Sequence, residues 1–171
     1  GLQWTPKKED KFKKVYFEYL KSEIKKPNAR KHIEPGISAL LDLLGHQPDI
    51  TLGLLTGNWR RGGRIKLEYF KLFHYFQIGA FADDSEMREK LPAIACRRFE
   101  QKLHKKIQPQ QVFIIGDTPL DVACAKPFGA KSVAVATGFF SYAELNAAKP
   151  DYLFTDLSDS QEFLQIFNER N

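Results

Sequence analysis

The sequence has few cysteines and no long run of apolar residues. Cys96 and Cys124 are its two cysteines, too few for a disulfide framework and without the paired spacing of a zinc site. The longest apolar stretches, such as 112–115 and 132–136, are far shorter than the roughly 20 residues that a membrane helix needs. These absences exclude a disulfide-stapled module and a membrane span, and they favour a protein of the reducing cytoplasm with no membrane partner.

The composition is that of a globular protein with a basic surface. The chain has 171 residues, 43% of them hydrophobic and 27% charged, which suits one domain with a proper core. Its net charge of +5 favours anionic partners, either nucleic acid or small phosphorylated molecules. Most basic doublets fall on the polar faces of predicted helices, and aromatic and basic residues do not alternate on any predicted strand. Nucleic-acid binding is therefore the weaker interpretation.

Helical and strand-like segments alternate along the chain. Apolar periodicity, proline starts and capping boxes predict helices at 6–26, 37–44, 65–73 and 92–106, and from Pro119, from Ser141 with Glu144, and from Ser158 with Gln161. Short apolar runs predict strands at 50–55, 112–115, 132–136 and 152–154, and a glycine-containing turn at 78–80. This alternation predicts an α/β fold with parallel strands and helices on both faces of the sheet.

The strand predicted at 50–55 ends in a polar loop. Thr56, Gly57 and Asn58 place a hydroxyl, a flexible glycine and an amide where free backbone N–H groups can receive an anion. Ligands of open parallel sheets bind beyond the carboxyl ends of the strands, which is where this loop lies. A threonine after a strand is also a common helix cap, so the loop alone predicts little.

Two carboxylates follow the strand predicted at 112–115. Asp117 comes directly after it, and Asp121 lies in the first turn of the next helix, so both can converge beyond the sheet edge. Crowded carboxylates repel one another unless a cation joins them, and hard oxygen ligands with room for water suit Mg²⁺. The structural alternative is that Asp117 ends the strand and Asp121 complements the helix dipole.

The two loops together resemble motifs II and IV of the haloacid dehalogenase-like superfamily. These motifs are a hydrophobic strand ending in Thr and a hydrophobic strand ending in Gly-Asp-Thr-x-x-x-Asp. The resemblance covers essentially the whole chain, because further segments follow the order of phosphoglycolate-phosphatase-like members: 35–36, 54–58, 83–84, 115–121 and 135–138. It implies a Rossmann-like three-layer parallel sheet with the remnant of a helical cap. Residues 1–31 would be the end of the cap and its linker, and 32–171 the core.

The resemblance also implies roles for individual residues. Thr56 and Asn58 would hold the phosphoryl oxygens of the substrate, with the Gly57 backbone close by. Asp117 would bind Mg²⁺, and Asp121 would support the metal directly or by fixing its water. The basic residue of motif III matches Arg88 best, with Lys90 as the alternative; either would offset charge on the phosphoryl group.

The nucleophile of this superfamily has no counterpart in the sequence. Members open with a strand running into Asp-x-Asp, whose first aspartate attacks phosphorus and whose second transfers protons. That strand lies in the middle of the family's sheet, between the strands that correspond to 50–55 and 112–115. We therefore expect Asp-x-Asp upstream of Gly1, a gap at the centre of the sheet, and no turnover by this chain alone.

The resulting functional prediction is a Mg²⁺-dependent phosphomonoester hydrolase that acts on a small phosphorylated metabolite through an aspartyl-phosphate. Phosphoglycolate is the substrate at the level of the family resemblance only. The alternative is a non-catalytic protein that keeps the phosphate-binding loop for binding or regulation. The oligomeric state is not predictable from these patterns.

Overall fold

A computed structural model describes residues 5–28 and 31–168 as an α/β fold. Its helices are α1 (Pro6–Glu23), α2 (Ile37–Gly45), α3 (Arg60–Tyr69), α4 (Leu91–Leu103), α5 (Pro119–Phe128), α6 (Tyr142–Ala147) and α7 (Ser160–Gln165). Its strands are β1 (Gly53–Leu55), β2 (Ile78–Ala80), β3 (Phe113–Gly116), β4 (Lys131–Val135) and β5 (Tyr152–Phe154). None of the described helices has the length and apolar content to cross a membrane.

The strands pair in parallel, as the alternation of helices and strands predicts. β1 pairs with β2, with Gly53 opposite Ile78 and Leu55 opposite Ala80. β4 lies between β3 and β5 in a separate three-stranded sheet. Within the described ranges β1 and β3 share no ladder, so the sheet is divided at the position where the family resemblance places a further strand.

Helices cover both faces of the three-stranded sheet. Val133 and Val135 of β4 belong to one hydrophobic cluster with α2 and α7, including the fully buried Phe163. Ala134, between them, faces the other side and packs with α5 and α6 through Val122 and Leu145. Because neighbouring residues of a strand point to opposite faces, this alternation builds the three layers that the sequence predicts.

Helix α1 packs against α3 and the loop that precedes it. Phe17 is buried there, and Gly62 of α3 allows the close approach, since a Cβ at Gly62 would lie 3.5 Å from the Phe17 ring. Trp59, directly before α3, makes edge-to-face contacts with Phe12, Tyr16 and Phe17 at centroid separations of 6.2, 5.6 and 5.9 Å. The helix at the start of the chain is thus joined to the loop that carries Asn58.

Several predicted helix starts are confirmed by their capping contacts. The Thr5 hydroxyl accepts from the Lys8 N–H at the start of α1. Ser141 and Glu144 form the predicted capping box of α6. Strand 152–154 is also confirmed residue by residue as β5.

Other predicted boundaries were wrong. The strand predicted at 50–55 is reduced to Gly53–Leu55, because β1 is paired along one side only and the residues before it pack on the core without joining a ladder. The turn predicted at 78–80 is a strand, β2, in which Gly79 pairs opposite Leu54. A Cβ at Gly79 would lie 2.9 Å from the Phe81 ring and 3.0 Å from the Leu54 carbonyl oxygen, so the glycine allows close packing in the strand.

Three helix ends also differ from the prediction. Helix 92–106 ends at Leu103, because His104 takes a left-handed conformation with φ 53°. The helix predicted at 65–73 is α3, which starts earlier and ends at Tyr69, two residues before Lys71 turns left-handed at φ 58°. The last helix is capped by Asp159 instead of Ser158, because the Asp159 carboxylate accepts from two N–H groups of the first turn. The predicted domain boundary at 31/32 stays a prediction; residues 1–4, 29–30 and 169–171 lie outside the described residues.

An ion pair between Asp84 and Arg98 ties the loop after β2 to α4. The Asp84 side chain is 14% exposed and accepts from Arg98 Nη1 and Nη2 at 2.6 and 2.7 Å, while Arg98 also donates to the Gly79 carbonyl at 2.6 Å. The Arg98 guanidinium, with help from the Phe81 N–H, lowers the pKa of Asp84 in spite of its burial. This pair holds the free side of β2 in place and covers one of its carbonyls.

Replacing Asp84 by Asn should destabilise the protein in a pH-dependent way. At pH 7 we expect a loss of about 2 kcal/mol, because Arg98 keeps its burial and loses its anionic partner. The pKa of Asp84 is lowered by folding, so its stabilisation is present above the ordinary value of 3.8 and is lost as the pH falls through the folded value. Urea denaturation at pH 7 and pH 3 measures this: the difference between the variant and the wild type should shrink at pH 3. The exposed Asp49 provides the control Asp49→Asn, and a pH-independent difference would contradict the assignment.

Candidate active site

The loop after β1 is held by an ordered set of hydrogen bonds. The Thr56 N–H donates to the Ala80 carbonyl at 3.1 Å, which continues the β1–β2 pairing beyond the strand. The Thr56 hydroxyl oxygen accepts twice from Asn58, from its N–H at 3.1 Å and from its Nδ2 at 2.8 Å. The Asn58 carbonyl in turn accepts from the Ala82 N–H at 3.1 Å. The loop therefore keeps a fixed shape around the Thr56 hydroxyl.

Helix α3 supports this loop from behind. Gly63 is buried, and a Cβ added there would lie 3.7 Å from the Thr56 methyl group and 3.9 Å from Asn58 Cβ. One turn further along, Lys66 Nζ donates to Asn58 Oδ1 at 2.7 Å. The two glycines in sequence, Gly62 and Gly63, let α3 approach α1 on one side and the loop on the other.

Arg88 lies between the two predicted halves of the site. Its Nη2 pairs with Asp121 Oδ1, and its Nη1 lies 3.8 Å from where a Cβ of Gly57 would be. The Arg88 carbonyl lies 3.4 Å from Cys124 Sγ, which packs the short helix Arg88–Lys90 on α5. Arg88 Nε is buried and has no hydrogen-bond partner within the described residues. The guanidinium thus lies beside the Thr56 loop and pairs with Asp121 at the start of α5.

Asp121 is buried, and both of its oxygens are used. Oδ2 accepts from the Thr118 N–H at 3.2 Å and from its hydroxyl at 2.7 Å, while Oδ1 accepts from Arg88. The carboxylate rests on Gly116, where any side chain would overlap it. Thr118 and Asp121 form the capping box of α5, so Asp121 stabilises the start of this helix as well as pairing with Arg88.

Asp117 is exposed at the end of β3, and its carboxylate makes no hydrogen bond or ion pair inside the described ranges. The carboxylate lies against the backbone of Gly138, in the loop after β4, where a Cβ would overlap Oδ2. Two neighbouring strands of one sheet therefore hold this side chain between their ends. Within the described residues, the Asp117 carboxylate therefore has no polar partner, whereas the Asp121 carboxylate is bonded to Arg88 and Thr118.

Arg88 and Lys90, the two candidates for the basic motif III residue, have different surroundings. Arg88 reaches Asp121, whereas Lys90 is exposed and makes no ion pair within the part of the chain described. The cysteines offer no thiolate nucleophile, since burial raises the pKa of Cys96 to about 11 and also raises the pKa of Cys124.

The donor set at the end of β3 suits a hard cation. Asp117 offers carboxylate oxygens that no other described group uses, and Gly138 leaves space for them. Asp121 would support a metal through its surroundings, because direct ligation requires it to give up Arg88 or Thr118. The described residues contain no group of three or more His, Cys, Asp or Glu side chains placed to hold a metal.

Comparison with known proteins gives the family. The family model described as "Haloacid dehalogenase-like hydrolase" matches residues 2–135, well over half of the chain. The chain belongs to the haloacid dehalogenase-like hydrolase family. The match spans the Thr56 loop, Arg88, Asp117 and Asp121, so it covers every candidate catalytic, substrate-binding or metal-binding residue predicted from the sequence.

Curated relatives of this hydrolase family include two phosphatases of different name. A pyrophosphatase PpaX of Bacillus mycoides is 28% identical over 117 residues, covering 68% of this chain and 53% of that protein. A phosphoglycolate phosphatase of Vibrio vulnificus is 27% identical over 127 residues, covering 74% and 54%. The chain spans about half the length of the curated relatives it matches.

Solved structures of other proteins share the fold. A protein from Haemophilus somnus that is described as a predicted phosphoglycolate phosphatase superposes with a TM-score of 0.72 at 20% identity. The superposition covers 95% of this chain and 69% of that one. A β-phosphoglucomutase from Clostridium difficile gives 0.70 at 18% identity, covering 97% and 70%. The predicted α/β fold with a Rossmann-like parallel sheet is confirmed.

Proposed function

We propose that the full-length protein hydrolyses small phosphate monoesters with Mg²⁺, through an aspartyl-phosphate on an aspartate that precedes residue 1. One observation carries the proposal: Arg88 pairs with Asp121 beside the Thr56 loop and keeps a buried N–H without an acceptor in the described chain. Buried N–H groups are normally paired, so this donor favours an additional acceptor at the site. The phosphatases among the relatives support the reaction class.

Each residue then has a role that follows from its contacts. The Thr56 hydroxyl and the loop backbone hold phosphoryl oxygens, and Arg88 offsets their negative charge. Asp117 holds Mg²⁺, while Asp121 orients Arg88 and closes the first turn of α5. When bound, Mg²⁺ neutralises charge on the phosphoryl oxygens and lets the carboxylates and the ester approach.

The divided sheet supports a further strand between β1 and β3 that brings Asp-x-Asp to the site. Ile115 of β3 is 41% exposed although its strand belongs to the core, and Gly53 of β1 is also exposed. A strand laid between them would cover Ile115 and pair the open sides of β1 and β3. Residues 1–171 alone are then expected to be inactive, because they lack the nucleophile.

A hydrolysis assay tests the proposal. The full-length protein of the natural reading frame should hydrolyse a generic aryl phosphate with added Mg²⁺, lose this activity with EDTA, and recover it when Mg²⁺ is restored. Residues 1–171 alone should release no phosphate above the background. Binding of inorganic phosphate without turnover would instead identify a non-catalytic phosphate-binding protein, and the absence of Asp-x-Asp upstream would sink the proposed mechanism.

A further inference from the structure

Lys66 contacts the Thr56 loop through Asn58 and was not among the site residues predicted from the sequence. Its Nζ lies 2.7 Å from Asn58 Oδ1, and its side chain is exposed on the same side of α3 as Gly63, which packs behind Thr56 and Asn58. The other basic residues of α3 have different partners: Arg60 pairs with Asp84, Arg61 with Glu18 and Arg64 with Glu68. Lys66 is therefore the basic residue of this helix that acts on the loop.

The contact fixes which way the Asn58 amide points. An ammonium group only donates hydrogen bonds, so it requires Oδ1 on its side and leaves Nδ2 facing Thr56. Nδ2 and the Asn58 N–H then both donate to the Thr56 hydroxyl oxygen, at 2.8 and 3.1 Å. With both lone pairs of that oxygen occupied, the hydroxyl proton has to point away from the loop.

The opposite amide orientation would have a different chemical result. Oδ1 would then face the hydroxyl and take its proton as an acceptor, so Thr56 would have no proton left to donate. The chain of contacts from Lys66 through Asn58 to Thr56 thus decides whether the hydroxyl is a donor toward the space in front of the loop. A donor is what an anionic phosphoryl oxygen needs.

We propose that Lys66 is a positioning residue of the phosphate-binding loop, which acts through Asn58 to keep the Thr56 hydroxyl a donor toward phosphate. The inference rests on the proposed function for its substrate class. It adds to that function a residue that touches neither the phosphoryl group nor the metal.

The test uses the full-length protein and two readouts, steady-state kinetics with an aryl phosphate and equilibrium binding of inorganic phosphate. Lys66→Met should raise KM and the phosphate dissociation constant by about fivefold, with kcat within about twofold, because it weakens a ground-state contact at an exposed site. Lys66→Arg, which also only donates, should restore values near the wild type. Arg64→Met removes the same charge from the same helix without touching Asn58 and should change neither constant.

A double-mutant cycle separates the proposed route from a general effect of charge. In an Asn58→Ala background, Lys66→Met should change phosphate affinity by less than about 1.5-fold, since its only path to Thr56 is gone. An undiminished effect in that background, or no effect in the wild-type background, overturns the inference. A different result would contradict the proposed function: the wild type would bind inorganic phosphate but would not hydrolyse the ester. In that case the phosphate-binding measurements would still test the role of Lys66.

Discussion

Asp117→Asn lowers kcat/KM of the full-length protein for an aryl phosphate by at least about 100-fold, as expected for the loss of a metal-binding carboxylate. Asp117 is the carboxylate of the site that no other described group occupies, and it is held between the ends of β3 and β4 by its fit against Gly138. Asparagine keeps the size of the side chain but loses its charge, so Mg²⁺ affinity falls while the fold stays intact. Activity measured against Mg²⁺ concentration should show a higher Mg²⁺ requirement as well as a lower rate.

Two further variants sharpen this prediction. Asp49→Asn makes the same change in charge at an exposed position before β1 and should leave both kinetic constants unchanged. Gly138→Ala keeps Asp117 itself but places a methyl group where its carboxylate lies, so it should also reduce activity and raise the Mg²⁺ requirement. Equal turnover by Asp117→Asn and the wild type would remove Asp117 from the mechanism.

Gly36→Ala destabilises the protein by about 3 kcal/mol, which is large for the addition of one methyl group. Gly36 caps α2 in a left-handed conformation with φ 80°, which disfavours any residue with a Cβ. The added methyl group would also overlap the carbonyl of Leu157, in the backbone between β5 and α7. Backbone cannot swing aside as a side chain does, so α2 would have to move from the core. Urea denaturation gives the change in the free energy of unfolding.

Gly129→Ala is the matched control for the conformational part of this effect. Gly129 has nearly the same φ, 81°, but its nearest neighbour would be Pro109 Cβ at 3.5 Å, an ordinary contact. It should therefore cost about 1 to 2 kcal/mol, the conformational contribution alone. If both variants lose equal stability, the overlap with the Leu157 carbonyl contributes nothing, and the close approach of Gly36 to Leu157 is contradicted.

The fold was predictable because its signals are local. Proline starts, capping boxes and short apolar runs located α1, α6 and β5 well, and the Gly-Asp-Thr-x-x-x-Asp segment located the β3–α5 corner. The errors came from long-range effects. Gly79 indicates a turn in isolation, and only pairing with β1 makes 78–80 a strand. The extent of β1 depends on its neighbours in the sheet, which a local pattern does not specify.

The candidate site was predictable as a set of residues but not as a network. Thr56, Asn58, Asp117 and Asp121 stand out because polar residues directly follow apolar runs. The ion pair of Asp121 with Arg88 joins side chains 33 positions apart, so only the family resemblance pointed to Arg88. The roles assigned to these residues stay predictions until the variants are assayed.

Three supporting residues were missed for different reasons. Lys66 looks like an ordinary surface lysine of a helix, and the only local signal for it is its position one turn after the buried Gly63. Gly116 and Gly138 were noted as parts of motifs, but not as the surfaces against which the two carboxylates rest. That role depends on the spacing of strand ends in three dimensions.

The division of the sheet also means that the two halves of the site differ in how long their backbone amides resist hydrogen exchange. Asp117 follows β3, which pairs with β4 in the three-stranded sheet. Thr56 follows the three-residue β1, which in the described residues pairs only with β2. Segments with few neighbours open at a lower free energy than the centre of a sheet. A ligand that contacts both halves would restrain the segment that opens more easily. On ligand binding, we therefore expect the largest decrease in hydrogen-exchange rate at the amides of the loop 56–58.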